Sequence, residues 1–248
     1  SLKSYHFSIA VSNHNRIFAY QIVSKMENKV YDFSLDIDWK LISLISEIDR
    51  FDANWTAIER KEGQSLKELK SIATVRSVGA SNRIEGNKMS DEEVDVLLQK
   101  LDITKLTDRD SQEVAGYFEV LDLISESYEN ISITESHIKS LHNELMKFSD
   151  KDQWHKGNYK VHSNAVEATF PDGTRQIVFQ TTEAGFATED AIRRLVDWYN
   201  SENEVHTLVK IASFVYDFLS VHPFQDGNGR LSRLISTLLL LKNGYKWI

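Results

Sequence analysis

Two apolar runs of helical length lie close together near the C-terminal end of the sequence, at 205–221 and 231–241. The first run repeats large apolar residues three and four positions apart, the spacing at which side chains share one face of a helix. Only a short, glycine-containing segment separates the runs. Because helices this apolar must be buried, the pattern predicts two core helices joined by a tight turn that is fixed inside the fold.

Helical periodicity extends over most of the chain. The residues after Asp36 predict one amphipathic helix, and a second is predicted from Ser65 to about Arg83, with Gly86 as its stop. Ser90 with Glu93 predicts a capping box at the start of the next helix. The remaining predicted helices cover 108–127, 134–148, 188–201, 205–221 and 229–242, with Thr134 and Thr188 as N-caps.

Residues 158–180 break this pattern because they are rich in β-formers. The turn sequence at 171–174, Pro-Asp-Gly-Thr, lies between two short β-prone runs at 168–170 and 176–179. A lone hairpin is rarely stable, so it should pack on the helices and leave one strand edge free. The predicted fold class is therefore all-α with one inserted β-hairpin.

Composition excludes several classes of function. The chain carries 37 acidic and 29 basic residues, a net charge of −8, so a general nucleic-acid binder is not expected. It has no cysteine, which removes disulfides, thiolate catalysis and cysteine-ligated zinc. The 231–241 run is too short for a membrane span, and the first 16 residues are too polar for a secretory signal. We expect a cytoplasmic protein without a membrane partner.

The turn between the two core helices, 222–233, reads HPFQDGNGRLSR and combines groups that suit a polyphosphate. Gly227 and Gly229 let a ligand approach the main chain, and the free N–H groups at the start of a helix attract phosphate. Arg230 and Arg233, three residues apart, are expected to project from one side of that helix. The segment therefore predicts a phosphate cradle.

Two further side chains of this turn suggest chemistry beyond binding. Asp226 would be an odd neighbour for phosphate unless a divalent cation such as Mg²⁺ lay between them. His222 is the only nearby group able to take a proton at neutral pH. Each residue alone has an ordinary structural explanation. Their occurrence together between two core helices favours a catalytic site.

This turn resembles the signature of the Fic family, HPFx(D/E)GNGRxxR, at every specified position. The resemblance implies ATP as substrate, a protein as partner, and transfer of AMP to a Ser, Thr or Tyr hydroxyl. It implies a Fic domain over 63–248, preceded by an N-terminal helical extension over 1–62. The implied roles are His222 as general base, Phe224 as loop anchor, Asp226 as the Mg²⁺ ligand, Gly227, Asn228 and Gly229 as the anion hole, and Arg230 and Arg233 on the β- and γ-phosphates.

By the same resemblance the hairpin at about 158–180 is a flap. One of its edges would pair with the target peptide by strand addition. We place that docking edge at Ile177, Val178, Phe179 and Gln180.

A carboxylate in the last turn before Gly86 also requires explanation. Glu85 there faces the negative end of the helix dipole, and on spacing alone a solvated side chain is the favoured interpretation. However, Ser81, Glu85 and Gly86 resemble the inhibitory Fic motif (S/T)xxxE(G/N). That resemblance implies an autoinhibited type whose inhibitory helix, about 65–86, precedes the core, with Glu85 paired to Arg233 where the γ-phosphate should lie.

Several alternatives remain open at this stage. Fic relatives also remove AMP, use other nucleotides or transfer the γ-phosphate, although glycine in GNGR favours AMP transfer. A hydrolase would need a metal cluster, and His137 and His142 are five apart and share a helix face poorly. A catalytically silent nucleotide-binding module is the alternative from another class. Trp39 and Trp55 suit a core or interface, and self-modification and a homodimer stay open.

Overall fold

The computed structural model describes residues 5–6, 37–100, 106–169 and 174–248. Most of the N-terminal extension and three residues of the hairpin turn, 171–173, lie outside these described residues. Within them the fold is mainly helical with a small sheet, as predicted. The helices are α1 (Trp39–Ile84), α2 (Asp91–Gln99), α3 (Arg109–Ser127), α4 (Glu135–Leu145), α5 (Phe186–Ser201), α6 (Thr207–Val221) and α7 (Asn228–Lys242), with a 3₁₀ turn at Tyr128–Asn130.

The two apolar runs form α6 and α7, and these helices pack against each other in the centre of the fold. Phe214 and Phe218 of α6 meet Leu231 and Leu234 of α7, and all four side chains are at most 1% exposed. Helix α3 packs beside them and approaches α4 closely at Gly116, where a Cβ would overlap a backbone carbonyl of α4. The turn between α6 and α7 is therefore enclosed by helices, as the sequence predicts.

Helix α1 is longer than the sequence suggests. We predicted two helices separated near 62–63, but α1 is one element of 46 residues with a kink at Glu62 (φ −112°, ψ 17°). Its first part is largely exposed, with Trp39 84% accessible, whereas Val78 and Ser81 near its end are buried. The predicted break is therefore present as a kink at Glu62 between two helical parts, not as a loop. The predicted boundary between extension and Fic domain coincides with that kink.

The helix caps test local predictions. Both bonds of the predicted capping box are present: Glu93 N–H donates to Ser90 Oγ at 3.2 Å, and Ser90 N–H to Glu93 Oε2 at 2.8 Å. Thr134 caps α4 by accepting from His137 N–H. The prediction for Thr188 was wrong, because α5 begins earlier and Gly185 (φ 86°) is its N-cap. The Thr188 hydroxyl instead donates to Glu183 O at 2.6 Å.

The predicted hairpin is present as β2 (Ala165–Thr169) and β3 (Arg175–Gln180), which pair antiparallel with a bulge between Val166 and Glu167. A short strand, β1 (Tyr5–His6), adds to β2 in parallel, so the sheet order is β1-β2-β3. The sequence analysis did not predict β1. As a result, the outer edge of β2 is occupied, and among the described residues β3 has an unpaired edge.

Candidate active site

The turn between α6 and α7 has an unusual backbone. Helix α6 ends at Val221, and His222 follows in the left-handed region (φ 52°, ψ 59°). Among the described residues His222 is the only non-glycine residue with a positive φ. Gly227 is also left-handed (φ 78°), and α7 begins at Asn228. L-amino acids avoid this region, so neighbouring contacts must hold His222 in place.

The side chain of Asn228 stabilises the turn by bonding to its backbone. Asn228 is 1% exposed, and its amide pairs with both backbone groups of Phe224: Oδ1 accepts from the N–H at 2.9 Å, and Nδ2 donates to the carbonyl at 2.8 Å. The predicted anion-hole role of Asn228 can therefore come from its backbone N–H rather than its side chain.

The His222 ring is oriented for proton acceptance. Its Nδ1 donates to Leu219 O at 3.3 Å, which leaves the lone pair on Nε2. Loss of hydration on burial is the main cause that lowers the pKa of His222 to about 4. The ring is therefore neutral at physiological pH, the state in which it can accept a proton.

A second buried histidine supports the loop from below. His142 of α4 is 0% exposed and stacks on the ring of Phe224, with centroids 3.8 Å apart and planes at 7°. Its Nε2 donates to Asp226 O at 3.0 Å, and its Nδ1 accepts from Gly157 N–H at 2.9 Å. These partners fix a neutral tautomer, and burial lowers the pKa of His142 to about 3.

The start of α7 has the backbone geometry that the predicted anion site requires. The first intrahelical bond runs from Leu231 N–H to Gly227 O at 2.9 Å, so the N–H groups of Asn228, Gly229 and Arg230 precede the hydrogen-bonded ladder. Free N–H groups and the helix dipole attract anions there. A small cleft opens at this point, lined by Glu85, Ala165, Val166, His222, Asp226, Gly227, Asn228 and Gly229.

Asp226 lines this cleft together with a second acidic residue, Glu85. Asp226 is 8% exposed, and its Oδ1 accepts from Gly227 N–H at 2.6 Å. Its Oδ2 lies 3.9 Å from Lys151 Nζ, beyond hydrogen-bond reach. In the described part of the chain no group of three or more His, Cys, Asp or Glu side chains could hold a metal. One carboxylate next to a phosphate site nevertheless fits Mg²⁺, which takes its other ligands from phosphate and water.

Arg230 departs from the predicted arrangement. It is 2% exposed and does not line the cleft. Its guanidinium lies between two carboxylates, 3.6 Å from Glu113 Oε1 and 3.7 Å from Asp226 Oδ1. In this structure the two arginines therefore do not project to one side, because Glu113 of α3 draws Arg230 inward. Glu113 carried no signal in the sequence beyond its place on a predicted helix.

Arg233 instead faces the end of α1. Its Nη2 donates to Glu85 Oε1 at 2.9 Å and to Ser81 O at 2.8 Å. Glu85 also lies against the first turn of α7, since a Cβ on Gly229 would overlap Glu85 Oε1. The Ser81 hydroxyl hydrogen-bonds Tyr117 of α3 at 2.9 Å. The structure thus brings together Ser81, Glu85 and Arg233, residues far apart in the sequence.

The sheet forms the opposite wall of the cleft through Ala165 and Val166. On the predicted docking edge, Ile177 is 51% exposed and Gln180 is exposed, while Phe179 is half-buried. A wider groove elsewhere, between α3 and α4, is lined by none of the predicted site residues. The chemistry-bearing side chains therefore converge on the small cleft.

Part of the chain, including the turn that forms this cleft, matches a known protein family. Residues 132–240 match the family model described as the Fic/DOC family. Over these residues the chain is similar to the Fic family. The match includes α4, the sheet strands β2 and β3, and the whole of the cleft-forming turn, whereas Ser81 and Glu85 precede the matched region.

Curated relatives of the chain are named for an enzymatic activity. The protein adenylyltransferase Fic of Drosophila melanogaster is 27% identical over 216 residues, 86% of this chain and 40% of the relative. The protein of the same name from Drosophila willistoni is 25% identical over 205 residues, 81% of this chain and 38% of the relative. The chain thus spans about two fifths of the length of these curated relatives.

Solved structures show the same fold. A Fic domain containing signaling protein from Bacteroides thetaiotaomicron superposes with a TM-score of 0.65 at 25% identity, covering 79% of this chain and 73% of that one. A Fic family protein from Desulfovibrio desulfuricans gives a TM-score of 0.69 at 25% identity, covering 88% and 62%. Within the described residues, no helix combines the length and apolarity that crossing a membrane requires.

Proposed function

We propose that this chain transfers AMP from ATP to a hydroxyl group of a protein substrate. The observation that carries the proposal is the shared cleft, in which a neutral histidine with a free Nε2 lone pair faces the N-terminus of α7. A proton acceptor next to a phosphate-binding helix end is the combination that attack on a phosphate ester needs. The name of the Drosophila relatives supports the adenylyl group as the one transferred.

The steps follow from the positions of the side chains. The substrate hydroxyl gives its proton to His222 Nε2 as its oxygen forms a bond to the α-phosphorus. The bond between the α-phosphorus and the α,β-bridging oxygen breaks, and pyrophosphate leaves with that oxygen. The free N–H groups of α7 stabilise the phosphate oxygens. Positioning and charge stabilisation supply most of the acceleration, as is general for phosphoryl chemistry.

We assign Asp226 as the carboxylate that holds Mg²⁺. When bound, the cation neutralises charge on the phosphates of ATP. Arg233 supplies positive charge for the distal phosphates, since its Nε is buried without a hydrogen-bond partner among the described residues. In the observed conformation the Arg230 guanidinium lies 3.7 Å from Asp226 Oδ1 and stabilises that carboxylate. Direct contact of Arg230 with phosphate remains a prediction.

We further propose that Glu85 is an inhibitory residue. Its carboxylate binds Arg233 and occupies the space next to Gly229, where a phosphate oxygen would otherwise use the same charge and N–H groups. ATP should therefore bind productively only when Glu85 moves. A carboxylate at this place could also orient water, so removal of AMP is the second candidate activity.

We propose that target peptides add to the unpaired edge of β3 at Ile177–Gln180 (residues 177–180). Exposed Ile177 and Gln180, together with the free edge, support this position.

The test uses wild type, Glu85→Gly and His222→Ala in each background, incubated with a divalent cation and ATP labelled on the α- or the γ-phosphate. We expect label on protein from the α-phosphate only, with Glu85→Gly more active by about 5- to 150-fold, the usual range of coupling between sites. Label from the γ-phosphate would overturn AMP transfer in favour of a kinase. Equal labelling of wild type and Glu85→Gly would overturn the inhibitory role.

A further inference from the structure

Lys160, in the segment between α4 and β2, lies close to the turn between α6 and α7 and is as deeply buried as Arg230. The side chain is 2% exposed, and no carboxylate of the described part of the chain lies within ion-pair distance of it. Burial of a lysine without an acidic partner is costly, and an apolar side chain of similar length would avoid that cost. Its presence therefore calls for a reason beyond packing.

The ammonium group has one acceptor for each of its three N–H bonds. Nζ donates to Thr181 Oγ1 at 2.9 Å, to Asn164 Oδ1 at 3.0 Å and to Val221 O at 3.0 Å. Thr181 and Asn164 lie at the base of the sheet hairpin, and Val221 ends α6. Lys160 therefore connects the base of the flap to the residue immediately before His222.

The backbone of Lys160 holds the other side of His222. Its N–H donates to Pro223 O at 2.8 Å, and the adjacent Tyr159 forms an isolated antiparallel bridge with Phe224. The Asn164 amide also donates to Phe224 O, at 3.2 Å. The carbonyls of Val221 and Pro223, the residues before and after His222, are thus both bound by Lys160. The Val221 carbonyl lies in the peptide plane that sets φ of His222, and the Pro223 carbonyl lies one peptide beyond the plane that sets ψ, so the two bonds restrain this segment on both sides of His222.

We infer that Lys160 is a positioning residue for the general base: it binds the carbonyls of the residues on both sides of His222 and by this clamp aims Nε2 into the cleft. The inference rests on the proposed function for the role of His222, but the clamp itself can be tested without catalysis. Lys160 acts through His222 and does not touch the nucleotide site, whose lining excludes it.

An electrostatic consequence separates this role from a purely structural one. The titratable groups that face His222 are Lys160, whose charge lowers the pKa of the ring, and Asp226, whose charge raises it. Glu85 lines the same cleft. Replacing Lys160 by an uncharged residue should therefore raise the pKa of His222, and only a cation held close to the ring predicts that shift.

The experiment compares Lys160→Met with Lys156→Met, both in the Glu85→Gly background. Lys156 is the matched control because it lies four residues earlier on the same segment and, among the described residues, its Nζ donates to Gln153 Oε1 at the surface. We expect Lys160→Met to lower kcat by about 100-fold, the loss typical of a misplaced catalytic group, with the Kd for ATP changed by less than about threefold. Lys156→Met should match its parent in both.

Thr181→Val is the second variant, in case Lys160→Met does not fold. It removes one acceptor of the ammonium group and keeps the side-chain shape, so kcat should fall in the same direction by about tenfold or less. Thermal midpoints of all variants show whether kcat and stability change together.

The histidine pKa is read by NMR titration of ring-labelled protein, which requires no turnover. We expect a higher pKa for His222 in Lys160→Met than in the parent or in Lys156→Met. A folded Lys160→Met protein with parental kcat and an unchanged His222 pKa would overturn the inference. If no variant transfers label, the proposed function fails, and the NMR result alone then decides whether the clamp exists.

Discussion

The turn between α6 and α7, called the catalytic turn because it contains the proposed base His222, meets the end of α1 in one cleft. The two regions are held there by different kinds of contact. The turn is enclosed: Phe224, Asn228, His142 and Lys160 are each at most 2% exposed, and their polar atoms are bonded to the loop or its neighbours. The end of α1 reaches the cleft through Glu85, whose contact with Arg233 leaves the two side chains 18% and 26% exposed.

This difference matches the proposed roles, because the base His222 must stay fixed whereas Glu85 must move. Buried hydrogen bonds in a low-dielectric interior hold a catalytic group rigidly, because breaking them leaves unpaired polar atoms. A partly exposed ion pair contributes little stability, since water and salt compete for both partners. The structure thus combines an enclosed turn with a partly exposed ion pair. Under the proposed function, the first holds the general base and the second is the inhibitory contact that a bound ligand displaces. Four predictions test this contrast.

The largest effect should come from removing the base of the rigid turn. In the Glu85→Gly background, His222→Ala should lower the rate of AMP transfer by about 10²- to 10⁴-fold, the usual contribution of general-base catalysis. The measurement is α-phosphate label per unit time, and ATP binding should persist in the variant because the α7 N-terminus is unchanged. Retention of more than about a tenth of the activity would assign the base elsewhere.

Acid should destabilise the rigid turn. The pKa of His142 is about 3 in the folded protein against 6.5 unfolded, so the unfolded state binds the proton first as pH falls. Its stabilising contribution is complete above pH 6.5 and is lost at about 1.4 kcal/mol per pH unit below that value. Between about pH 6.5 and pH 5 the free energy of unfolding should therefore fall by about 2 kcal/mol from His142 alone.

His142→Gln is the comparison for this acid effect, because its amide can still donate to Asp226 O but does not titrate. Its free energy of unfolding, measured by denaturant titration at several pH values, should decline less steeply than that of wild type. His222, with its pKa lowered to about 4, adds a similar slope in both proteins. Parallel curves would show that folding does not lower the pKa of His142.

Two left-handed glycines offer a matched test of packing at the two regions. Gly227 in the turn has φ 78°, and a Cβ there would lie 3.2 Å from Met146 Sδ and 3.4 Å from His142 Nε2. Gly86 after α1 has φ 94°, with nothing within 4 Å of an added Cβ. Alanine at either site should cost about 1–2 kcal/mol for the backbone alone. Gly227→Ala should cost more, by about 1 kcal/mol or above, because of crowding.

Chemical denaturation of both glycine variants measures this difference directly. Equal losses would mean that the turn is no more tightly packed than the end of α1.

The smallest effect should be that of salt on the inhibitory contact. Raising ionic strength from about 0.1 M to about 0.5 M screens partly exposed charges, so the Glu85–Arg233 pair should weaken by less than about 1 kcal/mol. Wild-type labelling should rise up to about fivefold relative to Glu85→Gly under the same conditions, which corrects for salt effects on ATP binding. A constant ratio would show that contacts other than this ion pair hold the inhibitory residue.

Much of the fold and part of the site could be predicted from local patterns. The helices α3 to α7, the capping box at Ser90 and the hairpin all follow from periodicity, caps and turn residues, which act over a few neighbouring positions. The kink within α1 agrees with the predicted break near 62–63, whereas the start of α5 after Gly185 was missed because Thr188 offered a plausible cap.

The sequence by itself determined that a glycine-containing turn with a histidine and a carboxylate lies between two core helices, because all of these residues are neighbours in the chain. Only the tertiary structure decided what the two arginines contact: Arg230 lies between Glu113 and Asp226, and Arg233 donates to Glu85. It also decided that His142 and Lys160 support the loop. These contacts join residues far apart in sequence, and their energies depend on burial and distance, which no local spacing encodes.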